Sequence, residues 1–190
     1  DDFCFGKNRS GNFEYLKQCG LKFGFDVENT HTLMIDNERV SSTRIRECLS
    51  RSDMITTRHL LGRPYTLSGK VAHGKKLGRK LGFPTINLKM GNRPLVVQGI
   101  FAVLVKGLDN RVLRGVASIG TRPTVNGSGT ILEVFIFNFS ETIYGRCVEV
   151  EILHKLRNEE KFDSLNALTV QINQDINQAK AYFDSDFKRY

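Results

Sequence analysis

The segment Gly78–Asn87, GRKLGFPTIN, joins a basic, glycine-rich half to a Pro-Thr-Ile-Asn half. Gly74, Gly78 and Gly82 let backbone amides approach a phosphate group closely, and Arg79 adds charge-assisted hydrogen bonds to phosphate oxygens. The spacing matches neither the Walker A loop nor the dinucleotide-binding fingerprint. The pattern predicts an anion-binding loop, and the alternative is a basic turn that precedes a polar strand.

Thr85 and Asn87 follow Pro84 and flank a single apolar residue, Ile86. Alternate residues of an extended chain point to the same side, so the hydroxyl and the amide are expected to face together. Their oxygens are hard ligands that suit Mg²⁺, a cation usually held by few protein ligands together with substrate phosphates. The pair Thr85 and Asn87 therefore predicts a magnesium and phosphate site.

Glu133 lies within the apolar segment Ile131–Phe139, which we expect to form a strand buried on both sides. A carboxylate in such surroundings costs free energy unless it is paired. The same surroundings make a carboxylate a candidate general base. The alternative is an ion pair with one of the arginines, and the residues alone leave both open.

Hydroxyl and arginine side chains cluster in VSSTRIR, at the expected start of a helix. Such a cluster can bind an anion at a helix N-terminus, although plain helix capping explains it equally well. Its members are Ser41, Ser42, Thr43 and Arg46.

Positive charge is concentrated around the glycine-rich segment. The 190 residues carry a net charge of +8, yet residues 1–62 hold nine basic and nine acidic side chains. Residues 63–93 hold eight basic side chains and no acidic one. A focused positive field favours anionic ligands, including nucleotides and nucleic acid, and a solvated basic face is the alternative.

The composition excludes several other classes. No run of about 18 apolar residues predicts a membrane span, and no charged segment followed by an apolar run opens the sequence, so a signal peptide is not expected. The four cysteines and four histidines are scattered, without the C-x-x-C spacing of a zinc site. Reduced thiols and a cytoplasmic location are therefore expected.

The elements that must position these residues change character along the chain. Helices are predicted over 12–19, ending at Gly20, over 40–50, and from Asp53 to Leu61, with a strand over 32–36. After a boundary at GRPY, strands are predicted at 67–73, 99–106, 112–119, 131–138 and 146–153, joined by turns such as Asp109-Asn110 and Asn126-Gly127. They favour an antiparallel sandwich or barrel.

A helix capped by Asp163 is predicted to close the chain and to pack on the strands. Its apolar stripe has helical spacing and consists of Leu165, Leu168, Ile172, Ile176, Ala179 and Phe183.

Residues 63–183 resemble the riboflavin kinase module of bacterial bifunctional riboflavin kinase/FMN adenylyltransferases, also called FAD synthetases. The resemblance rests on GRPYTLSGKVAHGKKLGRKLGFPTIN, GVASIGTRPT, LEVFIFNF followed by YG, and FDSLNAL, in that order. DDFCFGKNRSGNFEYL and VSSTRIRE resemble the end of the adenylyltransferase domain. The domains are therefore expected to be 1–62, a transferase remnant, and 63–190, a riboflavin kinase domain.

The resemblance implies a mainly β fold, a small antiparallel Greek-key β-barrel with a C-terminal helix, after the truncated end of a Rossmann-like α/β domain. It implies transfer of the ATP γ-phosphoryl to the 5′-hydroxyl of riboflavin, giving FMN, with Mg²⁺. Carried over by position, Glu133 is the catalytic base, and Thr85 and Asn87 hold the metal. The remaining implied positions are Gly74, Gly78, Arg79, Gly82 and Pro84 at the phosphates, Arg157, Phe162 and Leu165 at the flavin, and Ser41, Ser42, Thr43 and Arg46 in the remnant.

The chain departs from the family at a few positions. Where this chain has Ile86, Phe135 and Asn138, the family often has Ala, His and Asp, and it commonly has Arg where this chain has Cys4. The changes in the kinase module should tune the activity rather than abolish it. No histidine lies in an H-x-G-H-type segment. We interpret the chain as a C-terminal fragment expected to form FMN but not FAD.

Two rival functions stay open at this stage. One is a basic barrel that binds nucleic acid without catalysis, although such proteins usually display exposed aromatic side chains between basic ones. The other is a flavin-binding module without turnover. The resemblance favours neither, and it predicts no nucleic-acid or membrane partner.

Overall fold

A computed structural model of the chain describes residues 3–29, 32–74, 77–90, 95–124 and 127–185. The packing of these residues forms two compact units, Asp1–Val40 and Ser41–Tyr190. The predicted domain boundary between residues 62 and 63 refers to the families that the two segments resemble, not to how they pack, and it stays a prediction.

Short antiparallel strand pairs accompany one helix in the first unit. The elements are β1 (Cys4–Phe5), a 3-10 helix (Lys7–Arg9), β2 (Gly11–Asn12), α1 (Phe13–Phe23), β3 (Met34–Ile35) and β4 (Glu38–Arg39). The strand predicted over 32–36 is thus a two-residue strand, because Asp36 and Asn37 adopt positive φ and turn the chain into β4. The Rossmann-like origin of this unit stays a prediction.

Helix α1 continues beyond its predicted end at Gly20. Its left-handed C-cap is Gly24, with a φ of 75°. Gly20 is buried inside the helix, where a β-carbon would overlap the carbonyl oxygen of Phe25. Glycine at position 20 therefore permits a close approach of the chain and does not end the helix.

Two helices open the second unit, α2 (Ser42–Ser50) and α3 (Met54–Leu61), and both confirm the prediction. The side chains of Ser41 and Asp53 accept hydrogen bonds from backbone amides of the first turns, and Gly62 ends α3 in the left-handed region.

Within the described residues, six strands close into an antiparallel barrel in the order β10-β5-β6-β9-β8-β7. The elements are β5 (Tyr65–Ala72), α4 (Leu77–Lys80), β6 (Thr85–Lys89), β7 (Gly99–Leu108), β8 (Arg111–Thr124), β9 (Gly127–Ile136), β10 (Cys147–Arg157) and α5 (Leu165–Ser185). Strands β7, β8 and β9 follow one another by hairpins, and β10 returns beside β7, which is a Greek key. The expected mainly β barrel with a C-terminal helix is confirmed.

Positive φ values at Asp109 and Asn110 confirm the predicted turn between β7 and β8. The other predicted turn includes Asn126, which lies outside the described residues.

The barrel interior is filled by one side of each strand. On β9, Leu132, Val134 and Ile136 are buried in the core, whereas Glu133 and Phe135 point outward and are half-buried. The prediction of burial on both sides is therefore right for the inner face and only partly right for the outer face.

Helix α5 packs on the outside of the barrel through the C-terminal half of its predicted stripe. Ile176, Ala179 and Phe183 are buried, whereas Leu165 is 57% exposed. The predicted cap, Asp163, is wrong by one residue, because the hydroxyl of Ser164 accepts the bond from the Ala167 amide at 3.1 Å. The N-terminal half of the apolar stripe is therefore not buried against the barrel.

Candidate functional site

Strand register places one row of outward-facing residues across the barrel. Asn87 lies opposite Glu133, and Glu133 lies opposite Ser118. The row continues through Ile100 to Arg157. Side chains directly opposite each other on neighbouring strands share a face. The amide, carboxylate and hydroxyl are therefore neighbours although they are far apart in the sequence.

A second row runs beside the first. Thr85 lies opposite Phe135, which lies opposite Val116. Thr85 and Asn87 therefore face the same side, as their alternation predicts, and Ile86 faces the other way. Ile86 packs against the barrel core, which gives this departure from the family a structural role.

Both rows form the floor of a cavity of about 610 Å³. The opposite wall comes from residues 159–165 and from the first half of α5, including Leu168 and Ile172. This explains why the N-terminal part of the apolar stripe of α5 is not packed on the barrel. The cavity combines an apolar wall with a few polar groups, which is typical of small-molecule sites.

The glycine-rich loop lies against Thr85 and Asn87. A β-carbon on Gly74 would lie 2.5 Å from Cγ and 2.6 Å from Oδ1 of Asn87, and one on Gly78 would lie 3.6 Å from Oγ1 of Thr85. A side chain at Gly74 would thus overlap Asn87, and one at Gly78 would overlap the carbonyl oxygen of Phe83, so both positions require glycine. The chain reverses at Gly82, whose φ is 88°.

The loop is closed by its own backbone bonds. The amide of Phe83 donates to the carbonyl of Gly78 at 2.8 Å, and the amide of Leu81 donates to the same oxygen at 3.1 Å. Lys75, Lys76 and Arg93, part of the predicted basic segment, lie outside the described residues.

An aromatic chain borders the floor of the cavity. Phe83 meets Phe135 edge to face at 5.8 Å between ring centroids, and Phe135 meets Phe137 at 6.0 Å. Phe135 stands where the family often has histidine. Its ring therefore makes the cavity floor beside Glu133 apolar.

A hydrogen bond joins the floor to the opposite wall. The hydroxyl of Ser118 donates to Oε1 of Glu159 at 3.1 Å. A β-carbon on Gly120 would overlap the carboxylate of Glu159, so glycine at that position makes room for it.

The structure brings together about half of the predicted site residues. Those that line the cavity are Glu133, Thr85, Asn87, Gly78, Arg157, Phe162 and Leu165. Gly74 touches the site through Asn87, whereas Arg79 and Pro84 are exposed beside it and are not part of its lining, nor is Gly82. Ser41 caps α2, and Ser42, Thr43 and Arg46 are exposed on that helix, also outside the lining.

Sequence reasoning missed Ser118 and Asp175, which also line the cavity. The alternation in GVASIG, with Ala117 and Ile119 buried, could have placed Ser118 on the outer face. Nothing local in the sequence marks Asp175, since its burial depends on Arg157.

The donor set fits magnesium bound together with phosphates. A hydroxyl and an amide oxygen share a face beside Glu133, and glycine backbone lies next to both. Among the described residues, no group of three or more His, Cys, Asp or Glu side chains is arranged to hold a metal ion. A cation held by few protein ligands and by substrate oxygens is consistent with this arrangement.

The described helices include none long and apolar enough to cross a membrane.

Comparison with known proteins gives one consistent family. The riboflavin kinase family model matches residues 61–183, and the FAD synthetase family model matches residues 1–44. The bifunctional riboflavin kinase/FMN adenylyltransferase of Haemophilus influenzae is 47% identical over 185 residues, covering 97% of this chain and 60% of the relative. The protein of the same name from Escherichia coli K12 is 42% identical over 183 residues, covering 96% and 58%.

The chain thus spans 58–60% of the length of these relatives. Among solved structures, a Streptococcus pneumoniae protein described as a macrolide-efflux protein is similar, with a TM-score of 0.74 and 32% identity. The similarity covers 94% of this chain and 58% of the pneumococcal chain.

Proposed function

Because the chain belongs to the riboflavin kinase family, we propose that it transfers the γ-phosphoryl group of ATP to the 5′-hydroxyl of riboflavin, giving FMN and ADP. The observation that carries this proposal is the register of three strands, which sets Glu133 between Asn87 and Ser118 on the cavity floor. A base, a pair of hard oxygen ligands and a glycine loop occur side by side there. Enzymes that transfer phosphoryl groups use groups of this kind to position the reactants and to neutralise charge.

Glu133 serves as the general base. Its carboxylate accepts the proton of the 5′-hydroxyl while the hydroxyl oxygen forms a bond to the γ-phosphorus and the bond from that phosphorus to the β-phosphate oxygen breaks. The half-buried position of Glu133 beside Phe135 limits its contact with water. This strengthens its electrostatic influence on the reacting groups.

Thr85, Asn87 and the glycine loop hold the phosphates. Magnesium, when bound with ATP, neutralises charge on the phosphoryl oxygens. The hydroxyl of Thr85 and the amide oxygen of Asn87 are the groups that would hold it, and the loop around Gly78 places backbone beside them. Their role is to align the γ-phosphate with the hydroxyl.

The apolar wall suits the ring system of a flavin. Phe162, Leu165 and Leu168 face the floor across a cavity of about 610 Å³, within the range of about 300–1,000 Å³ for small-molecule sites. Planar aromatic ligands gain from such burial. We therefore place the flavin ring between residues 162–168 and the floor, with its ribityl chain directed to Glu133.

The whole protein is proposed to carry a second activity. The FAD synthetase match at residues 1–44 and the names of the relatives support adenylyl transfer to FMN, giving FAD. All four cysteines are free, which supports a reducing cytoplasm as its location.

The experiment compares wild type with Glu133→Gln, using riboflavin, ATP and Mg²⁺ and separating FMN and FAD by chromatography. Losing the base is expected to lower the rate of FMN formation about 10²–10⁴-fold, with riboflavin binding by fluorescence quenching retained. Glu149→Gln, an exposed strand carboxylate outside the cavity lining, is the matched control. An unchanged rate of FMN formation in Glu133→Gln would reject Glu133 as the base, and a wild-type chain that binds riboflavin but forms no FMN would be a flavin-binding module without turnover.

A further inference from the structure

The guanidinium group of Arg157 is held by a buried carboxylate on helix α5. Nε donates to Oδ1 of Asp175 at 2.7 Å, and Nη2 donates to Oδ2 at 2.8 Å. The side chains are 16% and 4% exposed, respectively. Two parallel charge-assisted bonds fix both the distance and the plane of the guanidinium.

The remaining polar atoms of this pair are also engaged. Nη1 of Arg157 donates to the carbonyl of Asn158 at 2.8 Å, and Nε2 of Gln171 donates to Oδ1 of Asp175 at 3.0 Å. The guanidinium lies over the ring of Phe162, 5.6 Å from its centroid. All three nitrogens of Arg157 therefore donate to protein acceptors in the plane of the group.

A guanidinium that is fixed by bonds along its edge still offers its face to a ligand. Arg157 lines the cavity next to Phe162, and guanidinium faces stack on aromatic rings. Three of the five N–H donors are engaged within the protein, and the face that lies beside Phe162 suits a planar aromatic ligand.

The ion pair between Arg157 and Asp175 also connects the floor of the cavity to helix α5 on the opposite wall. Arg157 ends β10 and the floor row, whereas Asp175 lies in α5 beside Ile172 and Ile176. A buried ion pair is often no more stabilising than apolar residues of similar size. Its directional bonds, unlike apolar contacts, set one spacing between floor and helix.

We propose that Asp175 is a positioning residue for the flavin: it holds Arg157 flat against Phe162 and fixes the width of the flavin end of the cavity. This inference rests on the proposed function. Under this proposal Asp175 affects the flavin end of the cavity and not the phosphate end at Asn87. Among the described contacts, no hydrogen bond of the Arg157–Asp175 pair reaches Asn87.

The test replaces Asp175 by Asn, which keeps the size but removes the charge. The riboflavin Kd, from fluorescence quenching, and the riboflavin KM are expected to rise about tenfold, as for the loss of one good charge-assisted bond. The ATP KM, and kcat at saturating riboflavin, are expected to stay within about twofold, because binding and chemistry are separable.

Phe183→Leu is the matched control, since Phe183 is buried in the same helix at 1% exposure and lies outside the cavity lining. It should lower Tm without changing the riboflavin Kd. If Asp175→Asn does not fold, the double variant Arg157→Met/Asp175→Leu replaces the pair by apolar residues. That variant should fold and show the same weakened riboflavin binding with an unchanged ATP KM.

Two results would overturn the inference. One is an Asp175 variant that folds but binds riboflavin with an unchanged Kd, while the wild-type chain is active. The other is a rise of the riboflavin Kd and of the ATP KM by similar factors, in proportion to the decrease in Tm. Wild-type chain that binds no riboflavin would overturn the proposed function, and this inference with it.

Discussion

Adding a single methyl group to Gly74 should disable the phosphate end of the site without unfolding the barrel. The β-carbon of Gly74→Ala would lie 2.5 Å from Cγ of Asn87. Carbon atoms in contact stay about 3.5 Å apart, so the amide of Asn87 has to retreat by about 1 Å. A displacement of that size in a positioned group costs about 10²-fold in rate.

The expected result is a fall of about 100-fold in kcat/KM for ATP, equivalent to about 2.7 kcal/mol of transition-state stabilisation. The backbone of Gly74 is not among the glycines in the left-handed region, so alanine can adopt its conformation. Tm should therefore change little. Coupled-enzyme detection of ADP at varied ATP concentration gives the rate, and calorimetry gives Tm.

A double-mutant cycle identifies the cause of the loss. If the added methyl acts through the amide of Asn87, Gly74→Ala should have no further effect in an Asn87→Ala background, where the amide is absent. Losses that multiply in the double variant, or a Gly74→Ala enzyme within twofold of wild type, would refute the reasoning.

Three further changes test the scaffold. The hydroxyl and amide of Thr56 donate hydrogen bonds to Asp53 and lower the pKa of its carboxyl, so the stability that Asp53 adds is present above the unfolded pKa and is lost as pH falls through the folded pKa. Asp53→Ala should therefore lower the free energy of unfolding by about 1 kcal/mol at pH 7. A difference between wild type and variant in urea unfolding that does not shrink toward pH 3 would contradict this. Ile86→Ala should cost about 1–2 kcal/mol by removing a partly buried core contact, with riboflavin and ATP KM unchanged; altered KM values would instead assign Ile86 to the site. Ser164→Ala should cost about 1 kcal/mol as a lost helix cap, whereas Asp163→Ala should not, and equal Tm losses would argue against Ser164 as the cap.

Local sequence was enough for the longer helices, for five of the six barrel strands and for part of the site, whereas β6 (Thr85–Lys89) was not predicted. The starts of α2 and α3, strand alternation and the helical stripe of α5 depend on residues within a few positions of each other, so the sequence shows them directly. The shared side of Thr85 and Asn87 follows in the same way from the two-residue period of a strand. Gly20 and Asp163 were misjudged because a helix end depends on contacts as well as on residue type.

The tertiary structure decided which of these residues meet. Barrel closure and strand register set Glu133 between Asn87 and Ser118, and a change of register by one residue would turn Glu133 into the core. The fork between Arg157 and Asp175 joins strand to helix, and its geometry exists only after α5 has docked. Sequence alone therefore determined the chemical groups and their local facing, whereas long-range packing determined their distances, because no local pattern encodes the pairing of distant strands.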